Sequence, residues 1–432
     1  MTTGGSRLDP WVDSYAARAN AMRASEIRAL FAVASRPEVV SLAGGMPYVQ
    51  ALPVEMLTAT AQRLLVERGP VALQYGSGQG DVTLREQILD VVGEVGVTAH
   101  PDDIVVTTGS QMALDLVTRV FCDPGDVVIV EAPSYVGALG VFRAFECEVI
   151  HVAMDDEGLV PQALQEALDQ AAAAGKRVKL IYTIPSFHNP AGVTQGPERR
   201  AEILSIAQSA GVLLLEDDPY GLLGFEGEPP RAIRADDAEG VIYLGSFSKT
   251  IASGLRVGWA IAPHGVREKL VLASEAAVLC PSNYAQMTVS EYLATQPWRE
   301  QIKTFREVYR ERRDALLESL QALMPEGTTW TIPAGGFYSW LTLPEGLDAT
   351  AMLPRAVANL VAYVPGTGFY VDGQGRQNLR LSYCYPEPDR IREGVRRLAA
   401  VIEGELELVE TFGTSHVLNR VTGSSVPAPD LA

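Results

Sequence analysis

Apolar residues along this chain come in short runs, each followed by a polar or glycine-rich turn. Val241-Ile242-Tyr243-Leu244 and Trp259-Ala260-Ile261-Ala262 are two such runs, and Gly245–Gly258 (GSFSKTIASGLRVG) lies between them. Short apolar runs bounded by Gly and Ser predict buried strands. The same pattern predicts strands at Ile104–Thr107, Val127–Val130, Val178–Thr183 and Val212–Leu215. Apolar residues at helical spacing lie between and around them, over Thr83–Val95, Gln111–Phe121, Val136–Phe145, Ala163–Ala174 and Glu198–Ala210. Near-continuous apolar strands alternating with helices predict an α/β unit with a mostly parallel sheet covered on both faces. Further on, Trp298–Leu323 predicts one long amphipathic helix. After it come a strand over Thr329–Leu343 broken at Gly335-Gly336, a helix over 350–362, a strand over 378–384 and a helix over 387–404. These predict a smaller α+β unit. Upstream, Ala21–Ala34 has helical spacing, and a helix over 53–68 opens at Pro53. The expected organisation is an arm at 1–52 that joins the small domain, a large domain at 53–305, a small domain at 306–408, and a tail at 409–432 whose Ser, Thr, Gly and Pro predict flexibility.

Composition narrows the function classes. The net charge of the 432 residues is 35 − 53 = −18, which disfavours nucleic acid and anionic membrane as partners. An acidic protein that binds anions must gather its positive charge locally, so arginines inside motifs carry more meaning than the total. Cys122, Cys147, Cys280 and Cys384 are far apart and form no CxxC, and no HExxH occurs, so neither a disulfide framework nor a metal site is expected. The start, MTTGGSRLDPWVDSY, has no basic segment followed by an apolar core, and no apolar run reaches membrane length. The expected compartment is the cytoplasm.

The turns carry the chemistry. Ser246, Ser248 and Arg256 can hold a phosphate, and Lys249 can form a Schiff base with an aldehyde. Together they suggest pyridoxal 5'-phosphate (PLP), although Ser, Lys and Gly are also ordinary turn residues. The strand Ile104–Thr107 runs into Thr108-Gly109-Ser110-Gln111 and a helix, a start that can present backbone N–H groups to phosphate or simply be a cap. Tyr135, after Glu131-Ala132-Pro133-Ser134, can stack on an aromatic ring or pack at a strand end. Asn189 precedes Pro190, which restrains it and can aim its amide at a ligand, and His188 reads as a loop histidine. Glu216-Asp217-Asp218-Pro219-Tyr220 offers a carboxylate that could pair with a pyridinium nitrogen, and a phenol for the ring oxygen.

Taken in order, YGSGQG, TGSQ, YTIPSFHNPAG, EDDPYG and GSFSKTIASGLRVG resemble the class I/II aminotransferases of PLP fold type I, over roughly residues 25–405. The head SEIRALFAVASRPEVVSLAGGMP (25–47) resembles the 2-aminoadipate/kynurenine aminotransferase branch. The resemblance implies a mostly parallel seven-stranded large domain and a smaller α+β domain. It also implies roles. Lys249 matches the lysine that carries PLP and moves the proton between substrate Cα and C4'. Asp217 matches the acid at the pyridine nitrogen, with Glu216 and Asp218 left to supporting contacts or loop solvation. Asn189 and Tyr220 match the pair at the ring oxygen O3'. Ser110, Gln111, Ser246, Ser248 and Arg256 match the phosphate cradle, and Tyr135 the stacked ring. Tyr75 matches a tyrosine that reaches the phosphate of the neighbouring subunit, which implies a homodimer with shared sites. Arg380 matches the arginine for the substrate α-carboxylate, Gly45 the glycine that lets the N-terminal loop close, and Arg28 a position that meets substrate side chains. The implied reaction is ping-pong transamination from a 2-aminoadipate-like, aromatic or aliphatic L-amino acid to a 2-oxo acid, 2-oxoglutarate foremost. Another PLP reaction on this fold, a β-lyase or α-oxoamine synthase, competes with it. A MocR-like regulator domain is set aside because only a short segment precedes SLAGG and the charge is acidic. A dinucleotide site at YGSGQG fails because no strand precedes it.

Overall fold

The structure, a computed structural model, describes residues 11–16, 18–19 and 36–413. The helical spacing at Ala21–Ala34, Arg28 and the stretch from 414 onward lie outside the described residues.

The apolar runs build one large sheet. Its strands are β1 (Ile104–Thr107), β2 (Val127–Ala132), β3 (Glu148–Asp155), β4 (Gly158–Leu159), β5 (Val178–Thr183), β6 (Leu213–Asp217), β7 (Val241–Ser246) and β8 (Gly258–Ile261). They lie in the order β1-β8-β7-β6-β5-β2-β3-β4. The pairs β7/β6, β6/β5, β5/β2 and β2/β3 are parallel. Strand β8 is antiparallel to both β1 and β7, so β1 runs in the same sense as the parallel set. One edge of the sheet therefore collects the carboxyl ends of β1, β2, β5, β6 and β7. This is where open α/β sheets bind ligands.

Alternation within the strands covers both faces. Val128, Val130, Leu180, Leu215, Ile242 and Leu244 pack against helices Ser110–Phe121, Val136–Ala144 and His264–Val278. Val127, Ile129, Ile181, Leu214 and Val241 pack against helices Pro161–Ala173 and Pro197–Ala210. Each fully buried aliphatic side chain contributes about 1.5–3 kcal/mol, so the sheet is a rigid base for its edge. The expected seven strands are joined by an eighth, the two-residue β4, which folds back on β3. The apolar pattern predicts no strand at Glu148–Asp155, yet one forms there. That strand is paired by β2, and much of it is only half-buried, so its apolar pattern is diluted.

A second sheet holds β9 (Thr329–Trp330), β10 (Tyr338–Thr342), β11 (Val364–Pro365) and β12 (Asn378–Ser382), all antiparallel, in the order β9-β10-β12-β11. Phe305, Tyr309, Leu316 and Leu320 of helix Trp298–Leu323 pack on it with Ile391, Val395, Leu398 and Ile402 of helix Pro388–Phe412. Helix Trp298–Leu323 runs unbroken across positions 305 and 306, the expected domain boundary. Val40–Ser41 pairs in parallel with Val361–Ala362 and ties the N-terminal stretch to this half.

Three expected boundaries differ. The helix expected over 53–68 spans Val54–Ala72, with non-helical angles at Arg68 just before Pro70. The helix expected over 350–362 ends at Ala358, and Leu360 (φ 59) turns the chain into the Val361–Ala362 pairing. The helix expected over 387–404 runs to Phe412, because Leu406 and Val409 still reach the core. Its end lies at Gly413 (φ 70), past the expected start of the tail at 409.

Candidate active site

The edge of the large sheet gathers an anion cradle. Past β1, Gly109 (φ 78) turns the chain into helix Ser110–Phe121, and no side chain caps that helix. Its first N–H groups therefore point outward without an intrahelical partner. At the end of β7, Ser246 Oγ lies 2.9 Å from Ser248 Oγ. Arg256 Nη1 donates to Ser248 Oγ at 3.3 Å and Nη2 to Thr108 O at 3.3 Å. A Cβ at Gly258 would lie 2.6 Å from Ser110 N, so only glycine lets β8 pass this close to the helix start. Two hydroxyls, a guanidinium and a helix N-terminus form a setting for a phosphate dianion. The Gln111 side chain takes another part: Nε2 donates to Gly137 O at 2.9 Å and Oε1 accepts from Tyr135 OH at 3.2 Å. Only its backbone N–H is left to the cradle.

Strand alternation separates the carboxylates at the end of β6. Glu216 points to the Leu214 face and accepts from Ile233 N and Arg234 N, both at 2.9 Å. Asp218 accepts from Tyr243 OH at 3.1 Å. Both are buried, so supporting contacts hold and loop solvation does not. Asp217 points to the Leu215 face, where Tyr182 OH donates to its Oδ2 at 2.8 Å. Its Oδ1 is buried with no hydrogen-bond partner. Burial pushes the Asp217 carboxyl up to about 7; the Tyr182 bond opposes that rise and the charge of Asp218 adds to it.

Lys249 sits on a short π-helical turn, Ser248–Ala252, and its Nζ donates to Gly45 O at 2.9 Å. Burial pushes its ammonium down to about 8, with Cys384 acting against that shift and Arg380 and Arg256 reinforcing it. Arg380, 2% exposed on β12, donates from Nη1 to Asn189 Oδ1 at 2.9 Å and from Nη2 to Ala43 O at 2.7 Å. Asn189 is anchored from behind. Glu131 accepts from Thr183 Oγ1 at 2.6 Å, Ile184 N at 2.9 Å and Gln195 Nε2 at 3.0 Å, and lies 3.0 Å from His188 Nε2. His188 Nδ1 accepts from Ala191 N at 3.2 Å, so Nε2 bears the ring proton and faces the carboxylate. His188 is thus a buried structural residue of the loop.

A cavity of about 210 Å³ brings together Gly45, Ser110, Tyr135, Asn189, Asp217, Tyr220, Lys249 and Arg380. Gln111, Ser246, Ser248 and Arg256 are not among its lining residues; Arg256 joins Ser248 to Thr108, two positions before Ser110. Tyr75 does not enter it: the residue is 77% exposed on its loop. Arg28 lies outside the described residues. Sequence reasoning missed Glu131, Tyr182 and Tyr338. Tyr182 could have been suspected, as a polar-tipped residue near the end of a strand beside the Asp217 strand. Nothing local marks Tyr338, which reaches the cavity from the second sheet.

The family described as "Aminotransferase class I and II" matches residues 37–398 of the chain. The aromatic-amino-acid aminotransferase 1 of Thermococcus litoralis is 42% identical over 91% of this chain and 95% of its own length. The 2-aminoadipate transaminase of Thermus thermophilus is 39% identical over 92% of this chain and 99% of its own. The crystal structure of Pyrococcus horikoshii kynurenine aminotransferase in complex with PMP superposes with a TM-score of 0.87 at 40% identity, covering 91% of this chain and 97% of that one.

Proposed function

The chain belongs to the class I and II aminotransferases, and on that footing we propose that it moves the amino group of an L-amino acid to 2-oxoglutarate in two half-reactions of ping-pong order. The enzymes of this family work with PLP, and the residues present fit it. Asp217 Oδ1 is a buried acceptor without a donor, which a pyridinium N–H supplies. The Ser110–Arg256 cradle fits the phosphate, and Lys249 stands in the same cavity as Asp217. This last pairing, an amine and a buried carboxylate with one oxygen unpartnered, in one cavity with Arg380, is the observation that carries the reading.

When bound, PLP supplies an electron sink that makes the substrate Cα–H acidic. Lys249 anchors the cofactor and, once released, takes the proton from Cα and returns it at C4'. Its depressed ammonium leaves a useful share of free amine near neutral pH. Asp217 keeps the pyridine nitrogen protonated. Ser110, Ser246, Ser248 and Arg256 hold the phosphate with the backbone N–H of Gln111. Tyr135 covers the ring, held by Gln111. Asn189 and Tyr220 donate to O3'. Arg380 binds the α-carboxylate with the N–H groups that Asn189 and Ala43 leave open, and Gly45 lets the strap close above. Arg28 meets the substrate side chain. Tyr75 serves the phosphate of a second copy, which makes the working unit a homodimer.

The donors we assign are aromatic amino acids, 2-aminoadipate and aliphatic amino acids, the first two on the names of the relatives. The compartment we infer is the cytoplasm; among the described residues no helix is long and apolar enough to cross a membrane. The test is a panel of these amino acids with 2-oxoglutarate, read by half-reaction spectra and product analysis. Keto acid and glutamate in equal amounts support transamination. Release of ammonia or of a β-substituent would move the protein to another PLP reaction.

A further inference from the structure

Tyr338 lines the cavity, yet none of the roles above uses it. It stands on β10, buried, opposite Ser382 of the strand that carries Arg380. Three parts of the site meet on it. Its ring lies under Arg380, with the guanidinium carbon 4.1 Å from the ring centroid. Its ring sits edge to face with that of Tyr220, the centroids 6.1 Å apart. A Cβ added at Gly45 would fall on the Tyr338 hydroxyl and come within 3.1 Å of Cζ.

Two of these contacts have a physical consequence. Asn189 and Ala43 accept from the Arg380 guanidinium, and two rings lie against it, Tyr338 at 4.1 Å and Phe369 at 5.2 Å, so Tyr338 makes the closer of two face-on contacts. The strap residue Gly45 meets the hydroxyl at its closest approach, and Gly45 O holds Lys249. The height of the strap over Lys249 is thereby set by a phenol from the other sheet.

We propose that Tyr338 is a positioning residue with two separable parts. The ring orients Arg380 for the α-carboxylate, and the hydroxyl stops the Gly45 strap. The proposal rests on the reading of Arg380 given above.

Tyr338→Phe keeps the ring and removes the hydroxyl. Binding of the unreactive carboxylate 3-phenylpropionate should change less than about twofold, since the ring still supports Arg380. Tyr338→Leu should weaken that binding by about tenfold. In the apoprotein, Gly45→Ala should lower the melting midpoint, and Gly45→Ala with Tyr338→Phe should recover most of the loss. Normal 3-phenylpropionate binding in Tyr338→Leu removes the role of the ring. An equal melting loss at Gly45→Ala with and without the hydroxyl removes the stop. If the wild-type protein takes up no PLP on Lys249, the reading of the whole site fails instead, and the melting pair still decides the contact between Gly45 and Tyr338.

Discussion

The carboxyl edge of the large sheet and the rim made by the small sheet with the Ala43–Met46 strap face each other across one cavity, and they are built differently. At the edge, each strand delivers its own functional group just past its last residue: Ser110 after β1, Tyr135 after β2, Asn189 after β5, Ser246 and Lys249 at the end of β7, with Asp217 closing β6. At the rim, the groups come from stretches hundreds of positions apart and hold one another: Arg380 is fixed by Asn189 and Ala43, and Lys249 by Gly45. The edge keeps a polar atom waiting, Asp217 Oδ1, while at the rim both Nη groups of Arg380 are engaged and its Nε is open. A group held for a permanent ligand and a group that must exchange partners each turnover differ in this way. A buried acceptor without a partner is costly until a ligand completes it, and a carboxylate arginine needs protein acceptors when substrate is away.

The comparison can be broken first at Lys249. Lys249→Ala should lower turnover by at least about 10⁴-fold, since the anchor and the proton carrier go together. In the wild type, borohydride followed by peptide mapping should find PLP on this residue, and a label elsewhere would remove the edge assignment. Next is Asp217→Asn, which should cost about 10³-fold in kcat, because the ring nitrogen loses its counter-ion.

That variant also sharpens the contrast through pH. In the apoprotein the Asp217 carboxyl is raised from 3.8 to about 7, so between these values the folded chain holds a proton that the unfolded chain has lost. Its stabilising share is complete below pH 3.8 and disappears as pH rises toward 7. The apoprotein of the Asp217→Asn variant should therefore melt higher than wild type at pH 8 and no higher at pH 4, while PLP retention moves the opposite way. Melting curves at the two pH values, with and without PLP, test both signs.

Arg380→Ala probes the rim. It should reduce kcat/KM by about 2–3 kcal/mol for acidic, aromatic and aliphatic donors alike, since every substrate has the α-carboxylate. A loss confined to one donor class would make Arg380 a side-chain residue. The smallest effect belongs to Tyr75→Phe, expected to weaken PLP retention about tenfold through one hydrogen bond to a charged group. A fully active monomer in light scattering at assay concentration would show that Tyr75 serves no second copy.

Legibility in the sequence follows the same division. The edge was readable because an apolar run and the turn after it are continuous in the chain: GSFSKTIASGLRVG and EDDPYG announce themselves next to their strands. Glu148–Asp155 was not readable, because its half-buried side chains dilute the apolar signal, and helix Pro388–Phe412 outran its expected end because Leu406 and Val409 find a core that the local pattern does not name. The exchange of roles at Gln111, from phosphate contact to holder of Tyr135, depends on the neighbouring helix start at Gly137.

The sequence alone determined most strands of the large sheet, what chemistry follows them, and that the set suits PLP, because period, composition and order are local properties. The tertiary structure decided that Asp217, and neither Glu216 nor Asp218, lines the cavity, since only pairing across β5, β6 and β7 reveals what fills each face. It also decided that Tyr338, marked by nothing around it, stands between Gly45, Tyr220 and Arg380. Those contacts join strands and a strap that meet only when the two sheets pack, and no local pattern records a meeting of that kind.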